Sequence, residues 1–283
     1  MPELPEVQTT VNGLNKTVKG RVILDVWTDY KSDFHAGKDN IKNPKFFKIF
    51  KKELVGRKIL KAERRGKNIL IGLDNGKTIL THMKMTGFFF YNPPKDEKFV
   101  RVKFKLNNGK ILAFSDMRRF AKITLIETKD REKNPELSHL GPDALDIALE
   151  EFKKILSKEK RPIKQMLMDQ TLLTGVGNIY SDESLWLSGI HPRSVPNKIP
   201  NKQTKLLLES IKKVLHSGID FGGDLMSDYR NIHGEKGKFQ NKHNAYRKTG
   251  EKCSKKNCEG TITRDVVATR SAHFCNLHQI LYK

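Results

Sequence analysis

The sequence is poor in cysteine and in acids, and it has no long apolar run. Only 3 of its 283 residues are cysteine, and all 3 lie near the C-terminus. An odd, clustered set excludes a disulfide framework and suits a metal site in a reducing compartment. The lack of a long uncharged stretch excludes a membrane-spanning helix, and no secretory signal opens the chain. There is no internal repeat. Asp and Glu number 32 against 54 Lys and Arg, a formal charge of +22. That imbalance points to an anionic partner, either nucleic acid or an acidic membrane surface. The bland alternative is a merely basic surface. The expectation is a soluble, cytoplasmic protein, nucleoid-associated if the source is bacterial, and long enough for two domains.

What is present changes period along the chain. After Pro2, the residues Val7, Val11, Leu14 and Val18 recur at helical spacing. RVILDVWT reads as a strand. KNILIGLDNGKTILTHMKMTGFFFY reads as two strands around Asp74-Asn75-Gly76. FVRVKFKLNNGKILAF turns at Asn107-Asn108-Gly109, and AKITLIET adds one more strand. Both turns carry the Asn-Gly hairpin signal. Gly141-Pro142 marks a boundary. Beyond it, Leu149, Phe152, Ile155 and Leu156 form a helical stripe that Asp146 can cap. Pro162 can start a second helix. NIYSDESLWLS reads as a third helix that stops at Gly189, and TKLLLESIKKVLHSG as a fourth. A tight TGVGN turn separates the second from the third. GGDLMSDYRNIHGEKGKFQNKHNAYRK is glycine-rich and aperiodic, and reads as a long mobile loop.

In the tail, Cys253 and Cys258 form C-x4-C, while Cys275 and His278 form C-x2-H. Two close pairs flanking one short hairpin make a zinc-ribbon arrangement, with four tetrahedral ligands for one structural Zn2+. With no spare ligand position, the ion would fold a segment too small to hold itself together. The first pair is wider than the usual C-x2-C. The chain opens MPELPEV. Locally, a proline fits the first helical turn and an acid suits a helix N-terminus. A small residue after Met1 also implies that Met1 is removed, leaving Pro2 with a free secondary amine.

Taken in order, MPELPEV, THMKMTG, DMRRF, LGPDAL, MLMDQTLLTGVGNIYSDESLWLSGIHP and the ribbon resemble the formamidopyrimidine-DNA glycosylases, of the same superfamily as endonuclease VIII. The resemblance runs nearly the whole length. Leu4 favours the formamidopyrimidine branch, because the endonuclease VIII branch usually has Gly there. It implies an α+β fold. An antiparallel β-sandwich with a leading helix would span 1–133, and a helix–two-turn–helix DNA-binding domain 140–225. A lesion-capping loop and linker would span 226–247, and the zinc ribbon 248–283. The implied protein is a bifunctional DNA glycosylase/AP lyase for oxidised purines, cutting by β,δ-elimination. It would act as a monomer on double-stranded DNA holding a damaged base, with no membrane and no cofactor beyond zinc.

The same resemblance assigns roles. The Pro2 amine attacks C1′, and Glu3 is the general acid/base on the sugar. An α-amine near pKa ~8 keeps roughly a tenth of its population as free base at neutral pH, far more than a lysine near ~10.4. Glu6, one turn on, reads as structural support. Lys67 matches the family lysine at the sugar-phosphate. Arg270 matches the ribbon arginine that grips phosphates bidentately and assists δ-elimination. Met85, Arg118 and Phe120 match the set that fills the gap left by the flipped base. Asn178, Lys164, Lys160 and Arg161 are matched or nearby phosphate contacts. Without the family context, Lys67 would read as a solvated strand lysine, and Met85 and Phe120 as core. Lys84, Phe99, Arg101 and Glu159 depart from the family pattern at positions near DNA. The alternatives are an endonuclease VIII-like glycosylase for oxidised pyrimidines and a non-catalytic zinc-ribbon nucleic-acid-binding protein.

Overall fold

A computed structural model describes residues 1–225 and 229–283. The expected loop therefore has its first part, Ser227 included, outside the described residues. The chain forms two compact units: Met1–Ser138 with Phe221–Lys238, and His139–Asp220 with Phe239–Lys283.

The first unit opens with α1 (Leu4–Thr17), whose Val7, Val11 and Leu14 face the core. Next come β1 (Ile23–Thr28), α2 (Pro44–Leu54), β2 (Ile59–Arg65), β3 (Asn68–Leu73) and β4 (Lys77–His82). β5 (Gly87–Tyr91), β6 (Val100–Leu106), β7 (Ile111–Asp116) and β8 (Lys122–Glu127) complete it. Two antiparallel four-stranded sheets form, in the orders β1-β6-β7-β5 and β2-β3-β4-β8. Inward residues of both sheets share one core with α1 and α2, including Ile71, Ile79, Phe89, Phe104 and Phe114. Each such side chain contributes about 1.5–3 kcal/mol of burial. This is the expected sandwich with its leading helix.

Three details differ from the sequence reading. The stretch ending in GFFFY holds three strands, because residues 83–86 turn the chain from one sheet into the other. α2 and β2 were not anticipated. The signal for α2 was Asn43-Pro44, where Asn43 Oδ1 accepts from Lys45 N at 3.1 Å as a helix cap. Beyond residue 228, the stretch read as mobile is anchored. Tyr229 and Ile232 are about 1% exposed, and Arg230 bridges to Lys236. Single buried anchors in an aperiodic stretch leave no periodic trace.

The second unit contains α3 (Leu149–Lys158), α4 (Ile163–Met168), α5 (Asn178–Ser188) and α6 (Asn201–Asp220). Its hairpin is β9 (Ile262–Val267) with β10 (Arg270–Cys275). Ala148, not Asp146, occupies the N-cap of α3. α5 ends at Gly189, as expected, in the left-handed conformation. No helix of the described residues is long and apolar enough to cross a membrane.

Candidate active site and metal centre

The N-terminus is built into the sandwich. Pro2 is buried and Glu3 is 4% exposed. Glu6 Oε2 accepts from Glu3 N at 2.7 Å, closing a capping box at the start of α1. Its other oxygen accepts from Asp224 N at 2.8 Å, and its carbonyl accepts from Tyr229 OH at 2.8 Å. Glu6 thus ties the first residues to the segment after α6. Burial lowers the Met1 amine pKa below its usual value near 8.0. Glu3 and Glu6 oppose that shift, while Lys67 and Arg118 add to it. The charges of those four side chains all act on the N-terminal amine.

Lys67 lies in the two-residue turn joining β2 to β3 and is 5% exposed, so it is not a solvated strand lysine. Sequence reasoning passed over its neighbour His82. Burial, then Lys84, Lys67 and Lys122, pushes this imidazole down to about 3. Its Nδ1 accepts from Lys84 N at 3.0 Å, which places the ring proton on Nε2. The only sequence signal was a histidine at the end of a strand.

Met85 and Phe120 are 37% and 51% exposed, so neither is core. The Arg118 guanidinium stands 4.5 Å over the Phe120 ring. Asp116, fully buried, links their two loops. Its Oδ1 accepts from Thr86 Oγ1 at 2.7 Å, and its Oδ2 accepts from Tyr30 OH and Ala121 N, each at 2.9 Å. Thr86 in turn accepts from Arg118 N at 3.1 Å. Lys42 Nζ holds the Arg119 carbonyl at 2.6 Å. Lys84 and Arg119 have φ of 56° and 55°, left-handed backbone at both loop tips. Asp116→Asn would turn one acceptor into a donor facing donors. It is expected to cost about 1–3 kcal/mol of stability. It should also slow the unstacking of 2-aminopurine placed beside a lesion, and both effects are measurable on one preparation.

In the second unit, the TGVGN turn is held by Gln170. Its Nε2 donates to Met168 O and Val176 O, and its Oε1 accepts from Gly175 N. Gly175 has φ +108°, a conformation that L side chains rarely adopt. Asn178 opens α5, with its Nδ2 3.5 Å from Ser271 Oγ on β10. Arg270 begins β10 and is exposed. Lys160 is also exposed, but Arg161 is engaged by Glu159 and by Asp169 at 3.0 Å. Arg161 holds the Glu159 carboxyl down to about 2. Lys164 needs a correction. Its side chain is fully buried and its ammonium is bonded to Asp182, so it is not placed to reach a phosphate.

Cys253, Cys258, Cys275 and His278 converge, with ligand atoms all within 4.8 Å of one another. Cys258 Sγ lies 3.6 Å from Cys275 Sγ, and His278 Nδ1 lies 3.4 Å from Cys253 Sγ. Tetrahedral bonds of ~2.3 Å to sulfur and ~2.0 Å to nitrogen give ligand edges of roughly 3.5–3.8 Å. The four side chains fit a tetrahedral ion. His278 Nε2 is 3.0 Å from Trp186 O, which fixes the tautomer that leaves Nδ1 as ligand. Gly260 is required because a Cβ there would meet Cys275 Sγ at 2.5 Å.

Comparison with known proteins places this geometry. Residues 1–123 match the formamidopyrimidine-DNA glycosylase N-terminal domain, and residues 140–230 match the H2TH domain of the same enzymes. The chain belongs to the formamidopyrimidine-DNA glycosylase family. A formamidopyrimidine-DNA glycosylase of Ligilactobacillus salivarius is 35% identical over 99% of both chains. One of Bacillus subtilis is 36% identical, covering 97% of this chain and 98% of its own. A Lactococcus lactis Fpg bound to abasic-site DNA superimposes with a TM-score of 0.86 at 32% identity, over 98% of this chain and 99% of its own. The same enzyme bound to N7-benzyl-Fapy-dG DNA also gives 0.86, at 33% identity over the same shares. Membership of this family makes the chain an enzyme of base excision repair, with the AP lyase activity of its family.

Proposed function

We propose that the chain removes oxidised purines, 8-oxoguanine and formamidopyrimidines, from double-stranded DNA. It would act as a monomer, through a Schiff base on Pro2. The observation that supports this reading is the burial of Pro2 and Glu3 at a terminus whose amine feels the charges of Glu3, Glu6, Lys67 and Arg118. After Met1 is removed, the Pro2 nitrogen attacks C1′ as the glycosidic C–N bond breaks. Glu3 exchanges the proton that opens the sugar, and a cationic iminium forms. The iminium acidifies the C2′–H, and loss of that proton expels the 3′ phosphate. Lys67 serves proton transfer at the sugar-phosphate, and Arg270 supports the second elimination. Met85, Arg118 and Phe120 fill the vacated stack, while Asn178 and Lys160 hold phosphates. Arg161 can join them only by sharing its two carboxylates.

Zn2+ would be held by Cys253, Cys258, Cys275 and His278, and it supplies folding of the ribbon rather than a chemical step. The free base of the Pro2 amine attacks, so excision should rise with pH as that amine loses its proton. Phosphate contacts release counterions, so log Kd against log salt should be steep. The direct test compares duplexes holding 8-oxoguanine or thymine glycol. Preferential cutting of the 8-oxoguanine strand supports the reading. Preference for thymine glycol moves the chain to the pyrimidine branch, and tight binding without cutting leaves a non-catalytic binder.

A further inference from the structure

The correction at Lys164 exposes a device that the reaction scheme does not use. α5 and β10 meet in register. Asn178 faces Ser271, and Asp182 faces His273. Four residues along a helix rise about 6 Å. Two along a strand rise about 6.6 Å. The i, i+4 positions of α5 therefore match alternate residues of β10, on one face of the strand. Asp182 Oδ2 accepts from both His273 N at 2.9 Å and His273 Nδ1 at 3.0 Å. Its Oδ1 accepts from the Lys164 ammonium. The Lys164 and Asp182 side chains are fully buried, and His273 is 5% exposed. The His273 ring also packs edge-on against Tyr246, 5.1 Å between centroids.

A buried ion pair is weak evidence for stability, because desolvation offsets its attraction. Its best-attested use is to fix a register. This register matters for position. His273 lies three residues beyond Arg270 on β10, and Asp182 lies one turn beyond Asn178 on α5. The turn before Arg270 is strained: Ala268 and Thr269 have φ of 46° and 68°. A strained tip points its side chains reproducibly only if the strand behind it is pinned.

We propose that Asp182, held by Lys164 and gripping His273, is a positioning residue that sets β10 against α5, so that Arg270 and Asn178 engage one stretch of DNA backbone together. This rests on the proposed function, in which those two residues hold phosphates. It gives Lys164 a role in DNA binding without contact.

The test uses the full chain with His273→Phe and His273→Asn. Phe keeps a ring against Tyr246 but removes the Nδ1 donor. Asn places an amide donor near the Nδ1 position and loses the ring. The probe is a duplex holding a tetrahydrofuran abasic analogue, titrated at several salt concentrations. His273→Phe is expected to bind about 10-fold more weakly, the scale of one lost hydrogen bond to a charged group. Its slope against log salt should flatten by about 0.9, one phosphate contact. His273→Asn should stay within about threefold of the unaltered protein on the same hydrogen-bond scale. Zinc content and borohydride adduct at saturating enzyme should be unchanged in both. Unaltered binding and slope in His273→Phe would overturn the proposal. Equal weakness in both variants would also overturn it, since ring packing would then be the cause. So would zinc loss from His273→Phe, because the cluster would then hold the ribbon together. Failure of the unaltered protein to form any adduct would instead reject the proposed function.

Discussion

Pro2→Gly is expected to bind a lesion duplex within a few-fold of the unaltered protein and to lose about 100-fold or more of base release, the penalty of a misplaced reacting group. Two physical differences separate the residues. A proline amine gives an iminium that is cationic without further protonation, while a primary amine gives a neutral imine. The pyrrolidine ring also restricts the direction of attack, and a glycine amine rotates freely. Binding is spared because the groups proposed to grip DNA lie elsewhere, at Arg118, Asn178 and Arg270. Single-turnover base release and a gel-shift titration read the two quantities separately. Unchanged base release would remove Pro2 from the mechanism.

Cys275→Ser should produce the second large effect. Cys275 is fully buried at the end of β10, and its Sγ also accepts from Leu277 N at 3.4 Å. Serine shortens the ligand and is far less acidic, so the tetrahedral set cannot close. Structural zinc binding is worth about 10–16 kcal/mol in ribbon-sized segments, and that energy is folding energy. Zinc stoichiometry should fall from one per chain to near zero, with a marked loss of DNA affinity because Arg270 is carried by the same hairpin. Gly260→Ala should lose zinc by another route, since its Cβ would collide with Cys275 Sγ. Full zinc retention in Cys275→Ser would reject the four-ligand assignment.

Much of the molecule was legible in the sequence because its signals are local. Asn-Gly turns at Asn75-Gly76 and Asn108-Gly109 marked two hairpins, and the structure places turns there, with Gly76 and Gly109 both at positive φ. The metal cluster was legible because its ligands come in close pairs. What the sequence hid is non-local. Nothing near Asp116 indicates that it would meet Tyr30 and Thr86. Lys164 looked like a phosphate ligand because it matches a basic position of the family. Only packing shows its charge turned inward onto Asp182, eighteen residues away in sequence. Glu159 stood out as an acid near a usual basic DNA contact, and the fold makes it a partner of Arg161. Charge alone does not tell a solvated lysine from a buried one.

The most direct measurement of the central claim is borohydride trapping on a duplex with one 8-oxoguanine opposite cytosine, followed by peptide mass spectrometry of the adduct. The expected result is a covalent adduct on a peptide that begins at Pro2. It would report removal of Met1, a Schiff base on the terminal amine and an oxidised-purine substrate together. An intact Met1 with no adduct, or an adduct on Lys67 instead, would contradict the account.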